Sequence, residues 1–286
     1  MLKLVKAYLR PCASSLAHAS RPYAARSASA LALSLFASLL AAAEPLVVRI
    51  AYVGDDTSAA LAGARQGIAE ANAQGRFLGL RYELDVLADA MTPPVARPAA
   101  IIAALDAAAL ITHAAKADVP VINVTSDDDA LREQCRDALF HTLPSAAMRK
   151  AAEAQWRVHA PNSAAVAHAW HATLEKYAGA QLNKRYREAT GEDMNDVAWA
   201  GWAAVKLVSD TIARLRTLDP QVLVTALQTD LAFDGQKGVD MSFRPNGQLR
   251  QPLLLVEAGR IVGEAPVRGV ADIEDLDSLA PTSCPK

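Results

Sequence analysis

The stretch that decides the fold is residues 46–58, with the sequence LVVRIAYVGDDTS. Its first part, Leu46–Val53, is an almost continuous apolar run, which is the pattern of a strand buried on both faces. The polar turn Gly54–Ser58 follows, and residues 59–74 then carry apolar side chains at helical spacing. A buried strand that leads directly into an amphipathic helix predicts the first βα unit of a parallel sheet.

The same alternation continues downstream. Leu80–Leu87 alternates as a second strand, and Ala99–Leu105 and Val119–Val124 are further strand-like runs. Between the last two, Asp106–Ala117 has helical spacing. Successive βα units of this kind predict an α/β fold with a parallel sheet and right-handed crossovers over residues 44–145.

The remainder of the chain has a different pattern. Residues 146–232 are predicted to be mostly helical, since no β-branched run of strand length occurs between Trp156 and Asp230. Residues 233–286 contain short apolar runs separated by glycine and proline, which predicts a C-terminal β-meander followed by a tail.

The N-terminal residues 1–43 have the pattern of an export signal. The leader contains basic but no acidic residues, and the apolar run Ala30–Leu40 is followed by three alanines ending at Ala43. A membrane anchor is the alternative, but the run is well short of the ~20 residues needed to span a bilayer. We therefore expect cleavage after Ala43, a periplasmic protein and no stable membrane insertion after cleavage.

Charge and motifs exclude several functions. The formal net charge is −2, which gives no electrostatic case for binding nucleic acid, since that requires a basic face. The sequence has no nucleophile elbow, phosphate-binding loop or HExxH zinc motif, so we expect neither an enzyme nor a metal site. Two cysteines remain after the leader, Cys135 and Cys284, and in an oxidising compartment they predict a disulfide rather than metal ligands.

Residues 233–262 carry a resemblance to a known family. Their sequence, FDGQKGVDMSFRPNGQLRQPLLLVEAGRIV, resembles the C-terminal region of type I periplasmic solute-binding proteins of the leucine/isoleucine/valine-binding class. Within it, Ser242–Pro252 resembles the branch found with pyrroloquinoline-quinone (PQQ)-dependent alcohol oxidation systems. Further matches, in the same order as in the family, are Leu61–Arg65, Gly75–Gly79, Asp129–Arg132, His141–Ser145 and Gly179–Leu182.

The resemblance implies a fold and a function. The family has two αβ lobes joined by a hinge, with a small-molecule ligand between them, and its members deliver that ligand to an ABC transporter permease. The expected function is therefore the non-enzymatic, periplasmic substrate-binding component of such a system. No catalytic cofactor is expected, and PQQ enters only as a possible ligand.

The chain departs from the family in its second lobe. The strand–helix–strand core expected after Trp156 is missing from the sequence pattern, and the mature chain is short for two lobes of ~150 residues each. We therefore expect a type I-like first lobe over residues 44–145 and a reduced, mostly helical second lobe in residues 146–232. The alternative is a one-lobed remnant that serves as a protein-interaction module or has no ligand-binding activity.

Candidate ligand-binding residues follow from topology, because ligands of such sheets lie at the carboxyl ends of the strands. Capping of the following helices is the alternative role for these side chains. A quinone tricarboxylate would need an arginine and an aromatic platform, and residues of both types occur later in the chain. The candidates are Asp55, Thr57, Ser58, Asp106, Thr125 and Ser126 at the strand ends, with Arg149 and Trp170 for a quinone.

One segment of the sequence bears on the identity of the ligand. Amino-acid binders of the class carry a serine/threonine motif after the third strand, whereas this chain has Asp106-Ala107-Ala108. The resemblance therefore argues against a simple branched-chain amino acid as the ligand.

Overall fold

A computed structural model describes residues 44–89, 94, 96–280 and 284. The predicted export signal lies outside the described residues. A five-stranded sheet with the order β2-β1-β3-β4-β5 forms the core of the described chain, and every pair in it is parallel. Its strands are β1 Leu46–Gly54, β2 Leu80–Leu87, β3 Ala100–Ala104, β4 Val121–Asn123 and β5 Leu139–His141. The predicted α/β fold with a parallel sheet is confirmed.

Three helices follow strands of this sheet. They are α1 Ala59–Leu78, α2 Ala107–Ala114 and the short α3 Asp129–Glu133. Each begins at a side-chain cap, a serine for α1 and an aspartate for α2 and α3, and the cap accepts a hydrogen bond from a backbone N–H of the first turn. The local sequence therefore fixes where each helix leaves the carboxyl edge of the sheet.

The described residues form four more α-helices, and one of them packs directly on α1. They are α4 Ala146–His159, α5 Gly179–Thr190, α6 Asp196–Leu215 and α7 Pro220–Thr229. The backbones of α1 and α6 touch, because a Cβ on Gly63 would overlap the carbonyl oxygen of Ala198. The reciprocal contact places Gly201 of α6 against the carbonyl of Ala60. Glycine at the seam allows this close approach.

A second, small antiparallel sheet lies outside the parallel sheet. It has the order β10-β9-β6, formed by β6 Val166–His168, β9 Leu253–Glu257 and β10 Arg260–Ala265. The prediction that no strand occurs between Trp156 and Asp230 was wrong at β6. This strand escaped the sequence pattern because it is short and its one buried residue, Ala167, is an alanine, which has low intrinsic β propensity.

The predicted C-terminal meander divides between two sheets. β9 and β10 form the expected hairpin, while β7 Ser242–Phe243 pairs with β8 Leu249–Arg250 in a separate two-stranded ribbon. A 3₁₀ helix, Leu276–Leu279, ends the described part of the chain before Cys284. Among the described residues, no helix is both long and apolar enough to cross a bilayer.

Candidate functional site

The loop after β1 holds three of the predicted ligand-binding residues. Asp55 is exposed, and its Oδ1 accepts hydrogen bonds from the backbone N–H of Thr57 (2.8 Å) and from the Thr57 hydroxyl (2.7 Å). These two bonds hold the pKa of Asp55 below its usual value. The Ser58 hydroxyl caps α1 at the N–H of Leu61 (3.2 Å) and shares a 2.5 Å bond with the Tyr52 hydroxyl. Local contacts thus hold the loop's geometry.

The loops after β3 and β4 hold the next three candidates. Asp106 caps α2 by accepting from the N–H of Ala109 at 2.9 Å. The Thr125 hydroxyl donates to the carbonyl of Leu105 at 3.3 Å, which ties the two loops together. The Ser126 carbonyl accepts a 2.7 Å bond from the side-chain amide of Asn123 and a 3.1 Å bond from Arg132.

The strand order brings these three loops to one edge. Because β1, β3 and β4 are neighbours in the sheet, the polar loops stand in a row along its carboxyl edge, as the topology predicts. Asp106 and Ser58 serve as helix caps in the structure, in agreement with the alternative role weighed for them. Their contact with a solute stays a prediction.

Arg149 lies on α4 and contacts the edge of the small sheet. Its Nη1 donates to the carbonyl of Ala167 in β6 (2.8 Å) and to Oδ2 of Asp196 (2.6 Å). One turn later, Oε1 of Glu153 accepts from the N–H of Ala167 at 3.1 Å. The two α4 side chains therefore satisfy both backbone groups of Ala167, which is how proteins block an open strand edge. A ligand-binding role for Arg149 stays a prediction.

Trp170 is placed inside the protein. Its side chain is 1% exposed and stacks on Trp199, with 6.1 Å between ring centroids and 10° between planes. The indole N–H donates to Oδ1 of Asn183 at 2.8 Å. In this arrangement the Trp170 ring is packed in the core. A ligand could stack on it only if the surrounding side chains moved apart.

Asp196 is the polar centre that the sequence analysis missed. It accepts from Arg149, from the N–H of Trp170 at 2.9 Å, and lies 3.4 Å from Nδ1 of His168. Burial alone would raise its pKa, but the bonds from His168, Arg149 and Trp170 outweigh that effect and the pKa is lowered. The only sequence signal was an acidic residue in the first turn of a helix.

Replacement of Asp196 by Asn is expected to cost about 2 kcal/mol of stability at pH 7, because Arg149 then loses its carboxylate partner. A lowered folded-state pKa means that the ionised group stabilises the fold above the ordinary value of 3.8, and that this contribution disappears as the pH falls below it. The cost should therefore shrink towards pH 3 in urea denaturation.

The exposed pair of Asp118 with Arg97 supplies the control for this experiment. The Asp118→Asn variant should change stability by less than about 0.5 kcal/mol at either pH. A cost for Asp196→Asn that is as large at pH 3 as at pH 7 would contradict an ionic role for this carboxylate.

Two cavities lie on the side of the small sheet, away from the predicted loops. One of about 480 Å³ lies between residues 173–176 and residues 261–264 of β10. The other, of about 360 Å³, contains Lys237, Tyr177 and Arg268, and both cavities include Lys176 and Glu264. None of the predicted ligand-binding residues lines either cavity. No group of three or more metal-ligating side chains occurs within the described ranges.

Comparison with known proteins identifies the fold. No protein-family model and no curated protein sequence matches the chain. Solved structures do match. A branched-chain amino acid ABC transporter periplasmic ligand-binding protein from Burkholderia xenovorans aligns over 76% of this chain and 95% of its own, with a TM-score of 0.65 and 11% identity. The fold is that of the type I periplasmic binding proteins.

Two further structures have the same fold. An ABC transporter substrate-binding protein from Desulfitobacterium hafniense, in complex with Leu, is 12% identical over 76% of this chain and 99% of its own, with a TM-score of 0.62. A leucine-, isoleucine-, valine-, threonine- and alanine-binding protein from Brucella ovis is 13% identical over 74% and 89% of the two chains, with a TM-score of 0.57. At such identity the likeness establishes the fold alone.

Proposed function

We propose that this chain is the non-enzymatic, periplasmic solute-binding component of an ABC transporter system. The observation that carries the proposal is the row of polar loops after β1, β3 and β4 at the carboxyl edge of a type I sheet. Solved structures with this fold include ABC transporter substrate-binding proteins, one of them in complex with Leu. Helix starts and hydroxyls at such an edge suit a small polar solute.

The finer part of the proposal links the chain to PQQ-dependent alcohol oxidation and to a permease partner. It is supported by the resemblance of residues 242–252. The two arginines of this segment contact the tail, since Nε of Arg244 and Nε of Arg250 both donate to Oδ1 of Asp277, at 2.8 and 2.9 Å. PQQ would therefore have to find its cationic partners elsewhere.

Leucine and PQQ are each expected to bind the isolated mature chain weakly or not at all, with dissociation constants above about 1 mM. The reason is the expected reduction of the second lobe, which is supported by a second sheet of only three strands among the described residues and by the packing of Trp170 against Trp199. A ligand covered on one side loses the burial that small-molecule sites normally have. Calorimetry measures this, and submicromolar affinity for either ligand would contradict it.

A thermal-shift panel of amino acids, carboxylates and quinones tests the solute-binding role itself. A solute at 100 times its dissociation constant stabilises the native state by about 2.7 kcal/mol and should raise Tm by several degrees. The shift should fall in Asp55→Asn, at the loop after β1. It should persist in Asp118→Asn, because Asp118 precedes β4 and therefore lies at the opposite edge of the sheet from the loops after β1, β3 and β4. No shift from any class would argue for the alternative function.

The alternative is a protein-interaction module. It is favoured by the surface of the small sheet, where Val166 is 50% exposed and Val262 is 41% exposed. Apolar side chains left open in this way suit a partner surface. Cross-linking of the exported chain in intact cells distinguishes the two functions, because an interaction module should give a defined protein adduct whether or not a solute is present.

A further inference from the structure

Lys237 is a buried lysine with neutral partners. It lies in the loop between α7 and β7 and is 4% exposed. Its Nζ donates to Oε1 of Gln251 at 2.7 Å and to the carbonyl oxygen of Pro252 at 3.1 Å, and it stands 4.0 Å from the ring centroid of Trp199. Each contact favours an ammonium group, but none of them carries a full negative charge.

The nearby carboxylates form ion pairs with other cations. Asp196 pairs with Arg149 at 2.6 Å, and Glu264 pairs with Lys176 at 3.2 Å. Within the described ranges, no carboxylate lies within 4.0 Å of the Lys237 ammonium. Burial therefore lowers the pKa of Lys237 well below its ordinary value. A buried cation without a counter-charge is costly unless a ligand or partner supplies one.

The cavity of about 360 Å³ gives such a ligand access to Lys237. Its volume falls within the range of small-molecule sites. Three basic side chains, Lys176, Lys237 and Arg268, line it against the single carboxylate of Glu264, so the wall favours an anion. The remaining wall is largely apolar, with Val239, Pro252, Ala265, Pro266 and Ile273.

We infer that this cavity binds a small carboxylate with a compact apolar body. The carboxylate would lie against Lys237 and the apolar body against the valine, proline and isoleucine side chains, with the exposed Arg268 at the rim. Pro252 lines the cavity, and its carbonyl is the more distant of the two Lys237 acceptors, so it is the one that an entering carboxylate would displace. The site is separate from the loops after β1, β3 and β4 and does not depend on their binding a solute.

The test compares acids with neutral molecules of the same shape. Benzoate and valerate are titrated into the mature chain by calorimetry or NMR, with benzamide and valeramide as their uncharged counterparts. We expect the acids to bind at least tenfold more tightly than the amides, because only the acids supply the missing charge. Lys237→Met keeps the length of the side chain and should weaken acid binding at least tenfold, about 1.4 kcal/mol.

Lys206→Met is the matched control. Lys206 is also buried, at 8% exposure, but its ammonium is paired with Asp210 at 2.8 Å and it does not line the cavity. This variant should bind benzoate as the unmodified chain does. If Lys237→Met does not fold, Arg268→Met removes an exposed charge from the rim and should still reduce the preference for acid over amide several-fold.

Any one of the following results would overturn the inference. They are equal affinity for acid and amide, equal loss of binding in the Lys206 and Lys237 variants, and no binding of either acid up to about 10 mM. Binding of benzoate that survives Lys237→Met in a folded protein would assign the acid to another surface and would equally reject this site.

Discussion

Replacement of Gly63 by alanine is expected to lower the free energy of unfolding by about 3 kcal/mol. Intrinsic propensity alone predicts the opposite sign, since alanine is better than glycine inside a helix by about 1 kcal/mol. Packing decides the outcome. The added Cβ would overlap the backbone carbonyl of Ala198, and α6 cannot move away from α1 freely because Gly201 meets Ala60 in the same seam.

Urea denaturation of the variant measures this cost, and Ala69→Leu provides the control. Ala69 lies on the exposed side of the same helix, so its enlargement should change stability by no more than about 0.5 kcal/mol. If Gly63→Ala is as stable as the unmodified chain, the two helices are not in backbone contact. The helix packed in this seam is capped by Ser58, which lies in the loop at the carboxyl edge of the sheet.

Four of the five strands of the parallel sheet were predictable because their signals are local, whereas β5, Leu139–His141, was not predicted. Leu46–Val53 is long, apolar and β-branched, and a capping residue follows it at the distance a helix start requires. Once four such runs alternate with helices, right-handed crossovers leave few topologies, and the parallel order follows. The meeting of the loops after β1, β3 and β4 could be deduced from that order alone.

β6 was not predictable, because its stability comes from elsewhere in the chain. Its one buried residue, Ala167, carries no strand signal, and the element is three residues long. It forms because β9 offers it a hydrogen-bonding edge and because Arg149 and Glu153 satisfy the other side of Ala167. A contact between residues 18 apart on different elements leaves no periodic trace in the sequence.

The candidate-site residues likewise divide into those that local sequence predicts and those that depend on tertiary contacts. The strand-end residues were found from topology, whereas the partners of Arg149 and Trp170 depend on tertiary contacts with Asp196 and Trp199. Lys237 was passed over because a lysine between two glycines has the pattern of a solvated turn. Its burial follows only when the turn closes over Trp199, which the sequence pattern does not indicate.

Removal of the disulfide by Cys135→Ser together with Cys284→Ser is expected to lower the free energy of unfolding by about 3–5 kcal/mol. The structure confirms the predicted bridge, with a Cα–Cα distance of 5.8 Å and a sequence separation of 149 residues. A cross-link across so long a loop removes much of the conformational entropy of the unfolded chain. The chain-entropy relation gives about 5 kcal/mol for this length, which is the upper end of the expected loss.

An effect of the disulfide on the unfolded chain can be distinguished experimentally from local anchoring of the tail in the folded state. Leu276 and Leu279 are buried, and Asp277 is held by Arg244 and Arg250, so the tail has its own contacts next to Cys284. If the bridge acts through the unfolded chain, the double-serine variant should keep hydrogen-exchange protection in the 3₁₀ helix while its urea midpoint falls. Dithiothreitol should lower the midpoint of the unmodified chain equally and leave that of the variant unchanged. A variant that loses tail protection but less than about 1 kcal/mol of global stability would show that the bridge is a local clamp.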